Sequence, residues 1–304
     1  FGRTGTFPGT LIETLDRRIP SNAKDNNLID KDLMPVRSQV LDFGYEYSVS
    51  NEIVFGARYV HKQLDRTIED VGILTPAGEQ YYITNPGFGY SIDPAKFPKG
   101  YPVPANPKAK RDYDALELRA EKRFSKGYFL NASYTLSRLY GNYGGLASSD
   151  ENGRTSPNVN RYFDEAWMNF DSRGQLVEGR LGSDRPHTFK FAGSYDLKTK
   201  LGTTRFAPIY QLYSGTPITS EVSVQDVPVF VNGRGDAGRT PVFSQADLLF
   251  VQDFRGFTES QKFRFELNIT NLFNSASVLD RSKSYSHPND GSILCSSSSS
   301  NSSF

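Results

Sequence analysis

One stretch of the sequence, residues 112–142, restricts the fold more than any other. Apolar and charged residues alternate in its first half, and its second half repeats the alternation after a short Ser-Lys-Gly segment. Side chains in a strand alternate between two faces, so the pattern predicts a β-hairpin and not a helix. One face carries Leu116, Leu118, Ala120, Phe124, Leu130 and Leu136, and the other carries Glu117, Arg119, Glu121 and Arg123.

The same period recurs along the chain and predicts further strands. The last of them alternates Phe263, Phe265 and Leu267 with Lys262, Arg264 and Glu266. Aromatic residues are abundant, with 22 Phe and 17 Tyr, which favours strands over helices. Besides the hairpin, the predicted strands cover about residues 38–47, 52–63, 187–197, 203–213, 244–254 and 262–273.

The connections between these strands alternate between short and long. Three long stretches, 64–111, 143–185 and 214–241, are rich in turn-forming and polar residues and are predicted to be structureless loops. Loops of that length are unusual in a compact soluble domain, whereas outer-membrane barrels combine short periplasmic turns with long external loops. The rhythm predicts an all-β, antiparallel transmembrane β-barrel, incomplete, with about eight strands of a larger barrel and long extracellular loops. A soluble sandwich or propeller, such as a secreted carbohydrate-binding module, is the alternative.

In a barrel of this kind, the hydrophobic pattern assigns the two faces. A charged side chain facing lipid at the bilayer midplane costs about 2–4 kcal/mol, so the charged rows are expected to face the lumen. The expected lumen-facing residues are Glu117, Arg119, Glu121, Arg123, Lys262, Arg264 and Glu266. The expected lipid-facing residues are Leu116, Leu118, Leu130, Leu136, Phe263, Phe265 and Leu267.

Composition excludes several other classes of protein. The formal net charge of +1 gives no electrostatic basis for nucleic-acid binding, and the single Cys295 excludes an internal disulfide framework. The chain begins at Phe1 and not at Met, so we expect a fragment that lacks its true N-terminus. We expect an irregular segment over 1–36, part of a barrel over 37–276 and an irregular Ser-rich tail over 277–304.

The sequence offers no catalytic, metal or cofactor constellation. Gly233, Gly235 and Gly238 form a GxGxxG pattern, but Pro241 and its β-branched neighbours argue against the helix that a dinucleotide site needs. His61, His187 and His287 are far apart and fit no metal motif. We therefore expect a protein that is not an enzyme and has no cofactor.

Several segments carry a resemblance to a known family. Asn271, Leu272, Phe273 and Asn274 form the Asn-Leu-Phe-Asn sequence near the end of TonB-dependent outer-membrane receptors, here expected on the last strand. Residues 134–154, 157–164, 183–191 and 232–241 resemble the Oar-like subgroup of these receptors.

The resemblance implies a location in the bacterial outer membrane and a barrel of about 22 strands. It also implies an N-terminal plug domain and the partner TonB, both absent from this sequence, with contact to outer-membrane lipid and a ligand that the sequence does not identify. This chain would be the C-terminal part of the barrel, and the intact receptor would carry out energised uptake or surface adhesion. The family ends on an aromatic-terminated strand, whereas a serine tract precedes Phe304, so we expect a truncated or frameshifted end or a disordered tail.

Overall fold

The computed structural model describes residues 29–75, 78–92, 105–145, 163, 166–171, 173–224, 227–230, 232–255, 261–278 and 284–286. Short 3-10 turns cover Gly89–Ile92 and Ala166–Asn169. No helical segment in these ranges is long and apolar enough to cross a membrane. The strands are β1 (Arg37–Ser48), β2 (Ile53–Arg66), β3 (Glu69–Thr75), β4 (Gly78–Thr84), β5 (Arg111–Ser125), β6 (Tyr128–Gly141), β7 (Gly179–Arg180), β8 (His187–Thr199), β9 (Gly202–Tyr213), β10 (Glu221–Val224), β11 (Val227–Phe230), β12 (Phe243–Arg255), β13 (Lys262–Ile269) and β14 (Ser284–Ser286).

Eight long strands form one antiparallel sheet in the order β1-β2-β5-β6-β8-β9-β12-β13, with the short β7 paired to β6. These eight strands are the ones that the alternation predicts, within a few residues at each end. Among the described residues, β1 and β13 each pair on one side only. The sheet is therefore open at both edges within the described ranges, which is consistent with the incomplete barrel that the sequence predicts.

The β5–β6 connection owes its tightness to backbone conformation. In the β5–β6 turn, Lys126 and Gly127 both have positive φ, at 52° and 85°, and Ser125 pairs with Tyr128 across the turn. Two central residues with positive φ define the type I′ turn, whose twist matches that of the flanking strands. Between this turn and the rest of the hairpin the register shifts by one residue, between Lys122 and Ser125.

The prediction for the last strand is wrong at its end. β13 stops at Ile269, and the Asn-Leu-Phe-Asn sequence forms a turn beyond it. Asn271 and Asn274 have positive φ, at 52° and 49°, which asparagine tolerates better than most residues. The Asn271 side chain accepts a hydrogen bond from the Ser275 amide (2.8 Å), and the Leu272 amide bonds the Ala246 carbonyl (2.7 Å), which ties the turn to β12.

The long connections are not structureless, contrary to the sequence prediction. β3 and β4 form a hairpin within the first, and β10 and β11 form another within the third. β14 pairs in parallel with β10. Each connection does contain turn-forming residues, but the connections also pack on one another, since Phe230 of β11 shares a core with Ala109 and Tyr143 of the other two. We call the described residues of 67–110, 142–186 and 214–242 the loop layer.

Candidate functional site

The strand register places the predicted apolar residues on one face of the sheet. Leu116 lies opposite Leu136 on one side and Tyr59 on the other, and Phe265 lies opposite Gln252. Directly opposed residues share a face, so the face can be traced from strand to strand. It carries Phe43, Tyr45, Phe55, Tyr59, Leu116, Leu118, Leu130, Leu136, Phe189, Phe191, Phe206, Phe250, Phe263, Phe265 and Leu267.

This face is open to its surroundings. Leu118 is 42% exposed, Phe265 51% and Phe43 72%. A soluble sandwich or propeller would bury such a row against a second layer. Within the described ranges, the eight-stranded sheet is instead a single layer whose large apolar side chains remain uncovered, which is the surface that a membrane requires.

The predicted charged residues lie on the opposite face. Glu117 is opposite Arg58, Arg119 is opposite Ser133, and Glu121 is opposite Asn131. Arg264 and Glu266 follow on β13, opposite Asp253 and Val251, and Arg123 continues the alternation of β5. The Lys262 backbone pairs with Arg255, but the Lys262 side chain lies outside the described part of the structure.

Opposite charges pair across this face. Arg58 contacts Asp42, and its Nη1 lies 3.6 Å from Oε2 of Glu117. Arg119 pairs with Glu121 on its own strand.

A second group lies toward the other edge of the sheet. The Arg205 Nε donates to Oδ1 of Asp196 at 2.6 Å, and the Arg264 Nε donates to Oδ1 of Asp253 at 2.6 Å. Exposed pairs of this kind are screened by water and add little stability, so their main effect is to make this face suited to a polar medium.

Lys122 is a residue that the sequence reasoning missed. Register puts it on the apolar face, opposite Leu130, where a charge is unfavourable. Its Nζ turns back to the β5–β6 turn, donates to Oγ of Ser125 at 2.7 Å, lies 3.8 Å from the ring centroid of Tyr128 and 3.8 Å from Oε2 of Glu52. The side chain thereby brings its charge to the strand end, the behaviour known as snorkelling. The sequence feature that could have revealed this behaviour is a lysine in the apolar row, three residues before the turn.

The loop layer has a core of its own. In this core, the rings of Tyr143 and Phe163 meet edge to face at 6.0 Å. The Tyr143 hydroxyl accepts a hydrogen bond from Oγ1 of Thr67 at 3.2 Å. Burial raises the pKa of the Tyr143 hydroxyl above its ordinary value, since the charged form would lose its hydration. The core consists of Ala109, Tyr143, Phe163, Val177 and Phe230, with Leu64 of β2 packed against it.

Asp184 joins two of the long connections. This carboxylate is buried and accepts a hydrogen bond from the Leu139 amide at 2.6 Å. It also forms ion pairs with Arg180 and Arg239, and Arg239 donates further to the Gly215 carbonyl at 2.9 Å. The buried carboxylate of Asp184 thus links the end of β6 to Arg239, which lies in another connection 55 residues farther along the sequence.

At the loop end of the sheet, the two faces differ in burial. Val60 and Ala115, opposed on the charged face, are each 2% exposed, whereas their neighbours Tyr59 and Leu116 on the apolar face are each 42% exposed. Leu64 shares the charged face with Val60 and packs against the loop core. The loop layer therefore contacts the charged side of the sheet at Leu64, while the large side chains of the apolar side stay exposed.

The remaining sequence motifs take structural places. Gly235 lies in a turn, where its amide bonds Oγ1 of Thr219 at 3.0 Å, so the glycine pattern opens no helix. The His61 Nδ1 lies 2.8 Å from Oδ1 of Asp114, and the His187 Nδ1 lies 2.8 Å from the Tyr134 hydroxyl. His287 is outside the described ranges. Within those ranges, no group of three or more His, Cys, Asp or Glu side chains is arranged to hold a metal ion.

Comparison with known proteins identifies the family. Residues 4–233 match the model of the outer membrane beta barrel domain. The chain belongs to this family of bacterial outer-membrane proteins. It is 31% identical over 257 residues to the TonB-dependent transporter Oar of Myxococcus xanthus, an alignment that covers 82% of this chain and 22% of the relative. No solved structure matches the chain.

These matches confirm the predicted fold class, resemblance and outer-membrane location. The chain spans about a fifth of the length of the curated relative, 22%. Both matches are to a membrane barrel and a transporter, and not to the soluble carbohydrate-binding module that was the alternative.

Proposed function

We propose that the chain is the C-terminal part of the barrel wall of a TonB-dependent transporter, in which a ligand crosses the outer membrane by energised uptake. The observation that carries the proposal is the two-faced sheet, which keeps one apolar and one charged surface over eight strands. Similarity to a protein named a TonB-dependent transporter supports it. In the intact protein, the partners would be TonB and an N-terminal plug domain, and the chain itself would carry no catalytic activity.

In this proposal the apolar face meets lipid and the charged face lines the lumen. Leu116, Leu118 and Leu136 then lie in the hydrocarbon belt, and the ion pairs of Arg58 and Arg264 lie in the hydrated interior. The reverse orientation would place several charges per hairpin in lipid, at about 2–4 kcal/mol each near the midplane. We assign the barrel wall to residues 37–276, with 1–36 as an entry segment and 277–304 as a tail.

Removal of the plug from the intact protein tests this function. A transporter barrel is wide enough to conduct large solutes once its plug is gone. Cells that make the plug-deleted protein should become sensitive to vancomycin, a hydrophilic antibiotic too large for ordinary porins, while cells with the intact protein should not. A barrel that serves adhesion alone and has a filled interior would leave sensitivity unchanged, and that result would overturn the proposal.

The face assignment has a separate test. Single cysteines that replace Glu117 and Arg119 should react with a membrane-impermeant maleimide once the plug is removed, and cysteines that replace Leu116 and Leu118 should be protected in the bilayer. The two pairs are adjacent on one strand, so depth in the membrane is matched. Reaction at the leucine positions and protection at the charged positions would reverse the assignment.

A further inference from the structure

The apolar face contains a groove between β1 and β8. Its volume is about 420 Å³. Small side chains, Ala57, Ala120 and Ala132, form its floor, and Tyr47, Phe55 and Phe189 stand among the larger side chains around them. Grooves of this size hold ligands of moderate length in many proteins.

Register explains why the surface is recessed here. Ala120 lies directly opposite Ala132 on β6 and Phe55 on β2, so two methyl groups are adjacent on the face. Ala57 is on the neighbouring strand, one pair farther along, opposite Leu118. Next to these positions on the same strands, the face carries larger side chains such as Leu118, Tyr134 and Tyr59. Three small residues in neighbouring strands therefore leave a trough between aromatic walls.

The position of the groove matches the reach of a lipid chain. Ala120 is five residues before the end of β5, about 16 Å along the strand at about 3.3 Å per residue. With a strand tilt of about 40°, the depth below the short-turn end is about 12 Å, which is within one leaflet. The turn at that end carries the exposed Lys126, whose charge can meet a phosphate group at the membrane surface.

We propose that this groove binds one acyl chain of a phospholipid in the periplasmic leaflet, with the phosphate near the β5–β6 turn. The inference rests on the proposed lipid-facing orientation of the apolar face. Aromatic walls and a methyl floor suit an unbranched hydrocarbon chain, because the chain can lie flat in the trough and touch both walls. Tyr45, Tyr47 and Tyr134 also line the groove, and tyrosine is common where an apolar surface meets the polar edge of a membrane. The groove continues into the apolar face that is proposed to meet lipid, which favours a lipid chain over a protein partner.

The experiment fills the groove in the intact protein. Ala120→Trp places a large ring on the floor, and Ala120→Leu is a milder filling in case the first variant assembles poorly. Ala246→Trp is the matched control, since Ala246 lies on the same face opposite Tyr210 but outside the groove. Each protein is extracted in mild detergent, and native mass spectrometry measures the phospholipid retained per protein.

We expect the wild type and Ala246→Trp to retain one phospholipid, and both Ala120 variants to retain at least fivefold less. Equal retention in all four proteins, or no retention in any, would overturn the inference. A change from monomer to oligomer that depends on Ala120 would also overturn it, since a second copy would then be the occupant.

The control also separates the two proposals. The Trp introduced at position 246 should be quenched by phospholipids with brominated acyl chains, relative to the wild-type background. If that quenching is absent, the face does not meet lipid and the orientation itself fails. If quenching is present and retention is the same in every variant, only the groove is refuted.

Discussion

Two substitutions at adjacent positions of β5, one that adds a charge to the apolar face and one that removes a charge from the other face, test most directly which face of the sheet meets lipid. Leu118 and Arg119 are neighbours on β5, on opposite faces of the sheet, and each is about half exposed. We expect Leu118→Arg to impair assembly in a bilayer strongly, and Arg119→Leu to have a small effect. Depth, strand and neighbours are nearly the same for both positions, so the face alone separates them.

The magnitude follows from the position of Leu118 in β5. It is the eighth of 15 residues, so about 23 Å of strand lies on each side at about 3.3 Å per residue. A tilt of about 40° converts this to a height of about 18 Å from either end, which puts Leu118 near the middle of an apolar belt about 25 Å tall. Arginine there costs about 2–4 kcal/mol.

The change at Arg119 removes its pair with Glu121 and its weaker attraction to Glu46, and Arg119 and Glu121 are both accessible to water on the charged face. Loss of such a pair costs about 0–1 kcal/mol. The difference between the variants is therefore about 1–4 kcal/mol, or about 5- to 700-fold in the folding equilibrium constant.

Reversible unfolding in phospholipid vesicles measures this difference, with urea as the denaturant and protease protection as an independent readout of insertion. Each variant is compared with the wild type at the same lipid composition. Equal destabilisation by the two changes would refute the assignment of faces. A larger effect at Arg119 would mean that the charged face, and not the apolar face, is the one in contact with lipid.

Three further predictions concern the loop layer and the turns. Asp184→Asn should weaken the loop layer by about 1–3 kcal/mol, which would be measured as faster hydrogen exchange in that layer. The raised pKa of Tyr143 favours its neutral form in the folded state, so loop-layer stability should be full below about pH 10 and fall above it. Tyr143→Phe should remove this loss of stability at high pH, measured by hydrogen exchange as a function of pH. An unchanged pH profile in the variant would contradict the prediction. Gly141→Ala would put a Cβ 1.9 Å from a backbone carbonyl oxygen at a φ of 150°, so it should destabilise the protein by about 1–3 kcal/mol or more in the vesicle assay. Gly44→Ala is the control, because its Cβ would have no atom nearer than 3.6 Å, and its loss of stability should be small.

The strands could be predicted because their signal is local. Alternation at residues such as Leu116, Glu117 and Leu118 reports the medium on each side of the strand without any knowledge of the neighbouring strands. The same reasoning failed at Ile269, where β13 ends although the apolar residues Leu272 and Phe273 follow. Periodicity cannot detect the positive φ that ends the strand there, because it depends on the conformation of single asparagines.

The loop layer could not be predicted from composition. Its contacts join residues far apart in sequence, such as Asp184 with Arg239 and Arg234 with the Asn142 carbonyl, 92 residues away. Each connection contains the turn formers of a flexible loop, and only their mutual packing buries Phe163 and Val177. A prediction made from each segment alone therefore gives loops where the folded chain has a small core.

Burial at the loop end connects the loop layer to the proposed route of a ligand. Val60 and Ala115 are covered and Tyr59 and Leu116 are not, although these residues are adjacent along their strands. A cover placed around the barrel would bury the apolar face first, since that face gains most from loss of contact with water. The loop core packs instead on Leu64, on the charged side, which is the arrangement expected if the apolar side is already occupied by lipid. If the charged face lines the lumen, the loop layer lies across the mouth, and a ligand meets the residues around Asp184 before it meets the ion pairs of the wall.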